Sequence, residues 1–122
     1  MGISFKDLDD ESQELLQSAS NEARFRTAAS KFYYFAYHMC RTCLPDVKAS
    51  GNYGMHKTFY KGLQNVDDLA IIGSRLEKLH ALRVNADYHL KEIFSSSHLK
   101  RAKDLSDSIS NDIKCFLSER GK

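Results

Sequence analysis

The sequence predicts an all-α protein: an antiparallel bundle of four to five helices forming a single domain over residues 1–122. Three observations carry that expectation. Apolar residues recur three and four positions apart through the long stretches of the chain, which is the spacing of one helix face. No stretch sustains the two-residue alternation of a half-buried strand. The strong turn signals fall in two places only, Pro45 to Gly54 and Ser95 to Ser97, so the connections between helices are short. A length of 122 residues suits one core, and no repeat or composition shift divides it.

The elements follow in order. A first, weakly amphipathic helix is expected from about residue 5 to 18, with Leu8, Leu15 and Leu16 as its apolar positions. The second runs from about Asn21 to Leu44 and presents Phe25, Ala28, Ala29, Phe32, Ala36, Met39, Cys40 and Cys43 at helical spacing. Tyr33 and Tyr37 read as packing residues. A short third helix holds Met55, Phe59, Tyr60 and Leu63. The fourth begins near Asp67 or Asp68, where acidic side chains suit the positive end of a helix, and is expected to continue to about Phe94. After a serine break that can cap it, the last helix places Leu99, Ala102, Leu105, Ile109, Ile113, Phe116 and Leu117 on one face.

Composition excludes some functions and leaves others open. No apolar run approaches the length of a membrane span. The N-terminus turns acidic at once, so a secretory leader is not expected. Three cysteines, Cys40, Cys43 and Cys115, make an odd count that suits a reducing cytoplasm better than a disulfide framework. A net charge of +2 does not by itself point to nucleic acid.

The fourth helix carries the most informative pattern. Its apolar stripe reads Leu69, Ile72, Leu76, Leu79, Arg83, Ala86, Leu90, Ile93. Arg83 therefore places a guanidinium where a core residue belongs. Left unpaired there it would cost several kcal/mol. Asp87, one turn on, is the natural partner, and His80 precedes Arg83 by one turn. Two readings stand together: a semi-buried Arg83–Asp87 pair that sets helix register, or an Arg83 that faces a groove and binds phosphate through its planar fork.

Two segments resemble the HEPN family. Arg26-Thr-Ala-Ala-Ser-Lys-Phe-Tyr-Tyr-Phe-Ala-Tyr-His38 is similar to the HEPN helix with a tyrosine pair, small residues and a trailing aromatic-His. Leu79-His-Ala-Leu-Arg-Val-Asn-Ala-Asp-Tyr88 is similar to the family's Arg-x-x-Ala-Asp-Tyr segment. The likeness covers residues 10 to 118. It implies a helical bundle, commonly a homodimer, and either a metal-independent endoribonuclease of a toxin–antitoxin or antiphage system or a non-catalytic module that binds a nucleotide or a partner such as a nucleotidyltransferase.

Catalytic HEPN proteins carry Arg, four to six residues, then His. Arg83 and His89 fit with five between, although Tyr88 stands where a shorter gap would put the histidine. Arg75 and His80 also meet the spacing. The resemblance implies Arg83 as the phosphate-stabilising group and His89 as the general acid–base, with Asn85, Asp87, Tyr88 and His80 in support. RNA is then the substrate and a cognate antitoxin a possible partner. Positions six apart on a straight helix sit about 120° from one another. The pair converges only through a distortion or across two chains.

Other candidates are blander. Tyr34, His38 and Arg41 form a second face that suits either a nucleotide, with a base on Tyr34 and phosphate on Arg41, or solvent and a dimer partner. Cys40 and Cys43 have the spacing of half a metal site but no second pair, and their helical setting explains them as small packers. No metal and no cofactor is expected. Lys100, Arg101 and Lys103 form a basic cluster, either a solvated face or an RNA contact.

Overall fold

The computed structural model describes residues 10, 21–44, 47, 51 and 54–120. The helix expected over 5–18 lies outside the described residues. Those that are described form a helical bundle: α1 (Glu22–Cys43), α2 (Met55–Gln64), a 3-10 turn (Asp67–Leu69) leading into α3 (Ala70–Tyr88), and α4 (Ser96–Arg120). α3 is central, packing against α1, α2 and α4.

Side-chain contacts show the directions. Ser30 of α1 meets Asp87 of α3, and Tyr34 meets Arg83, so the index rises on one helix as it falls on the other. α2 and α3 are also antiparallel: Gln64 lies against Gly73, and Tyr60, earlier in α2, lies against His80, later in α3. Arg75 pairs with Asp112 across α3 and α4. α2–α3 and α3–α4 are consecutive in the chain, and their short connections favour antiparallel packing.

Each helix forms for a local reason. Asn21 caps α1, its side chain accepting from the Arg24 amide at 3.0 Å. α1 then buries Ala28, Ala29, Phe32, Tyr33, Phe35, Ala36, Tyr37, Met39 and Cys40, a stripe wide enough to face several neighbours at once. The Ser95 carbonyl accepts the first bond of α4, from the Leu99 amide at 3.2 Å. Ala102, Ile109 and Ile113 of α4 are fully buried beneath it, whereas Leu117 is 40% exposed near the helix end. At Gly73 a Cβ would come within 2.8 Å of Gln64 Cγ and 2.9 Å of Leu63 Cβ. The absence of a side chain there lets α2 and α3 cross closely.

The helix expected to reach Phe94 stops at Tyr88 instead. His89 leaves the helical region at φ −101°, ψ 63°. The cause is Arg26, in the second turn of α1 and only 8% exposed. Its guanidinium donates to the carbonyls of Asn85 at 2.9 Å, Ala86 at 3.0 Å, His89 at 3.3 Å and Glu92. Helix ends leave such carbonyls without partners, and a buried arginine fork satisfies several together. Glu22 completes the clamp by accepting from Arg26 and from the Phe94 amide at 2.5 Å. That amide holds the Glu22 carboxyl below the usual carboxylate range. Phe94 turns into the core, 1% exposed, while Leu90 and Ile93, expected in the buried stripe, stand out at 71% and 80%.

Candidate functional site

The α1–α3 antiparallel crossing sets Tyr34 opposite Arg83 and Ser30 opposite Asp87. Arg83 Nε lies 2.8 Å from Asp87 Oδ2, and the guanidinium also donates to the Tyr34 hydroxyl at 2.8 Å. The Ser30 hydroxyl donates to the same Asp87 oxygen at 3.2 Å. The Arg83 side chain is 12% exposed. Its planar face is covered by two rings, Tyr34 at 5.2 Å and Tyr88 at 5.5 Å. Tyr88 itself is 65% exposed. The guanidinium thus sits at the rim of the bundle, screened from water by tyrosine and neutralised by one carboxylate.

Behind it lies a ring cluster. The Tyr33 hydroxyl shares a 2.5 Å hydrogen bond with His56 Nδ1. His56 and His80 stack with centroids 5.2 Å apart, and Tyr33, Tyr37 and Tyr60 close around them. Burial pushes the Tyr33 phenol up and both imidazoles down, His80 to about 4. Arg83 and a neighbouring histidine push each imidazole further the same way, with Glu77 opposing them at His80. Both rings are accordingly neutral at pH 7.

The expected site residues divide into those the fold gathers and those it separates. Arg83, Asp87, Tyr34 and Tyr88 meet. His38 stacks one ring out on Tyr34, with centroids 6.3 Å apart. His80 belongs to the ring cluster. Arg41 turns over Tyr37 and Phe59. The Asn85 Oδ1 atom is buried without a hydrogen-bond partner, and the Asn85 carbonyl is held by Arg26. His89, which caps α3, is 51% exposed beside Glu92, its Nδ1 3.6 Å from that carboxylate. Among the described residues no contact joins His89 to Arg83.

His56, Ser30 and Arg26 were not foreseen. His56 had a signal, one more ring in a chain already dense with Tyr33, Tyr37 and His38, but its partner helix lies across a loop. Glu22 and Arg26 carry the four-residue spacing of a helix pair, though nothing in that spacing reveals an α3 end waiting for donors.

Elsewhere, Cys40 is buried and pushed up to about 12, so it stays a thiol and packs. Among the described residues no three His, Cys, Asp or Glu side chains converge on a point a metal could occupy. A groove of about 540 Å³ between the start of α3 and the end of α4 is lined by Asp67, Asp68, Asp112 and Glu119. It is acidic and includes none of the expected site residues. No helix among the described residues is long and apolar enough to cross a membrane. No family model, curated protein or solved structure matches the chain.

Proposed function

We propose that this chain is a HEPN-like, metal-independent endoribonuclease acting in the cytoplasm as the effector of a toxin–antitoxin or antiphage system. One observation carries the reading. A permanently charged guanidinium is held at the bundle rim between Tyr34 and Tyr88, and a half-exposed histidine, His89, caps the same helix.

In this reading Arg83 binds the scissile phosphate and stabilises the charge that builds on its oxygens. A neutral His89 takes the proton from the ribose 2′-hydroxyl. The 2′-oxygen then bonds to phosphorus, the bond to the 5′-oxygen breaks, and that oxygen takes a proton from solvent water as it leaves. A 2′,3′-cyclic phosphate and a 5′-hydroxyl end result, and DNA, which lacks the nucleophile, is not cut. Tyr88 is placed to stack a neighbouring base. Since His89 and Arg83 do not touch within a chain, the complete site is expected in a homodimer, each copy supplying one member of each pair.

The test is cleavage of RNA by purified protein in EDTA, followed by end-group analysis. Arg83→Lys, which keeps the charge but loses the fork, is expected to lower the rate at least tenfold. His89→Ala, at an exposed position, is expected to abolish cleavage with the circular dichroism unchanged. Undiminished cleavage by His89→Ala protein would refute the assignment.

A second reading is favoured by the Arg83–Asp87 pair itself, because the guanidinium already has its anion. The chain would then be a non-catalytic HEPN module that binds a nucleotide or a partner such as a nucleotidyltransferase. A wild-type protein inert toward RNA, yet forming a stable complex with such an enzyme, selects this reading.

A further inference from the structure

The basic cluster legible in the sequence is rearranged by the fold. Lys103 leaves it, drawn to Asp107 one turn along α4 at 2.6 Å. Lys78 of α3 joins it, because the α3–α4 crossing brings that position alongside the first turns of α4. The result is an open groove of about 360 Å³ between the two helices, lined by Lys78, Lys100 and Arg101, the hydroxyl residues Ser97 and Ser108, and one carboxylate, Asp104.

Several cations outside the groove are neutralised in place. Arg26, Lys61, Arg75, Arg83 and Lys103 each have a carboxylate partner. Among the described residues Lys78, Lys100 and Arg101 have none, and all three are exposed. Three cations face one carboxylate in a chain whose net charge is only +2. The positive field is therefore local. No aromatic side chain lines the groove, so nothing there offers a stacking surface to a base.

We infer that this groove binds the phosphodiester backbone of single-stranded RNA, independently of sequence, as an anchoring site separate from Arg83. Cations supply the attraction and the two serines can donate to phosphate oxygens. The ligand is extended, because Ser97 to Ser108 spans about 16 Å of helix and the groove is open along it. Lys78 lies five positions before Arg83, about 140° around α3. A strand in the groove therefore passes round the helix to reach Arg83. The choice of RNA rests on the endoribonuclease reading.

The experiment is binding of a fluorescent 12-nucleotide single-stranded RNA, read by anisotropy between 50 and 300 mM salt. Three proteins are compared: wild type, the triple variant Lys78→Gln/Lys100→Gln/Arg101→Gln, and a control of equal charge change, Lys57→Gln/Lys91→Gln/Lys114→Gln. The groove variant is expected to lose at least tenfold in affinity at low salt. Its slope of log affinity against log salt falls by about 2, three phosphates at ~0.7 each. The control retains most of the affinity. Equal losses in the two variants, or an unchanged slope in the groove variant, overturn the inference. So does a poly-glutamate chain that displaces the RNA at equal charge, since the groove would then be a general anion surface. Cleavage of a dinucleotide, too short to span both places, separates the two proposals. Groove variants keep that activity if Arg83 catalyses, and RNA binding by the groove stands even if no cleavage is found.

Discussion

The setting of His80 predicts a fold sensitive to mild acid. Its ring is packed against His56, Tyr33 and Tyr60, with Arg83 one turn away and Glu77 as the nearby opposing charge. Burial, His56 and Arg83 all disfavour the charged ring, and only Glu77 favours it, so the value falls to about 4. In the unfolded chain an imidazole titrates near 6.5. The folded state therefore binds fewer protons than the unfolded state between these values. Stability is fully present above about pH 6.5 and is lost progressively as the pH falls toward 4. At pH 5 the unshielded difference is about 2 kcal/mol. The ring is partly open to water, and solvent screening reduces this to about 1 kcal/mol. His56 shifts in the same direction and adds to the loss. The assay is urea unfolding followed by circular dichroism at pH 7.5, 6 and 5, for wild type and His80→Gln. Wild type is expected to lose about 1 kcal/mol more than the variant between pH 7.5 and 5. Equal losses in both proteins would show that carboxylates alone set the acid limit and that the ring cluster is not responsible.

Two other substitutions test the packing. Gly73→Ala drives a methyl group against Gln64 and Leu63, so α2 must move off α3; a loss of about 1–3 kcal/mol is expected in thermal or urea unfolding, and a neutral result would mean the crossing is loose. Arg26→Met keeps the apolar stem but removes the donors to four carbonyls; a loss of about 2–4 kcal/mol is expected, with faster amide exchange from His89 to Phe94, and a change below about 0.5 kcal/mol would show that water replaces the clamp.

The bundle was legible because helix faces are written in local spacing. The stripe from Ala28 to Cys40 is buried as its periodicity requires, and so is that from Leu99 to Ile113 apart from the half-buried Leu105. The end of α3 was not legible. Leu90 and Ile93 continue the stripe of Leu76 and Leu79, and only a donor more than 60 positions away in sequence stops the helix before them. At the candidate site, Arg83 and Asp87 could be paired from their four-residue spacing. Tyr34 could be named but not joined to them, since that join depends on the α1–α3 register. The basic cluster failed in the opposite sense. Adjacency in sequence grouped Lys103 with Lys100, whereas an intrahelical partner removed it and a neighbouring helix supplied Lys78.

The carboxylate of Asp87 has a meaning beyond charge balance. It is an anion covalently tied within reach of Arg83, and so a tethered competitor for any anion arriving from solution. Its effective concentration is on the order of millimolar or higher whatever the conditions. A monovalent ion such as chloride gains nothing by exchanging with it. A phosphodiester can exchange when it brings further contacts, to Tyr88 or to the chain's other cations, that the carboxylate cannot make. The pair then works as a threshold, keeping the guanidinium occupied until a ligand arrives with more than its charge to offer.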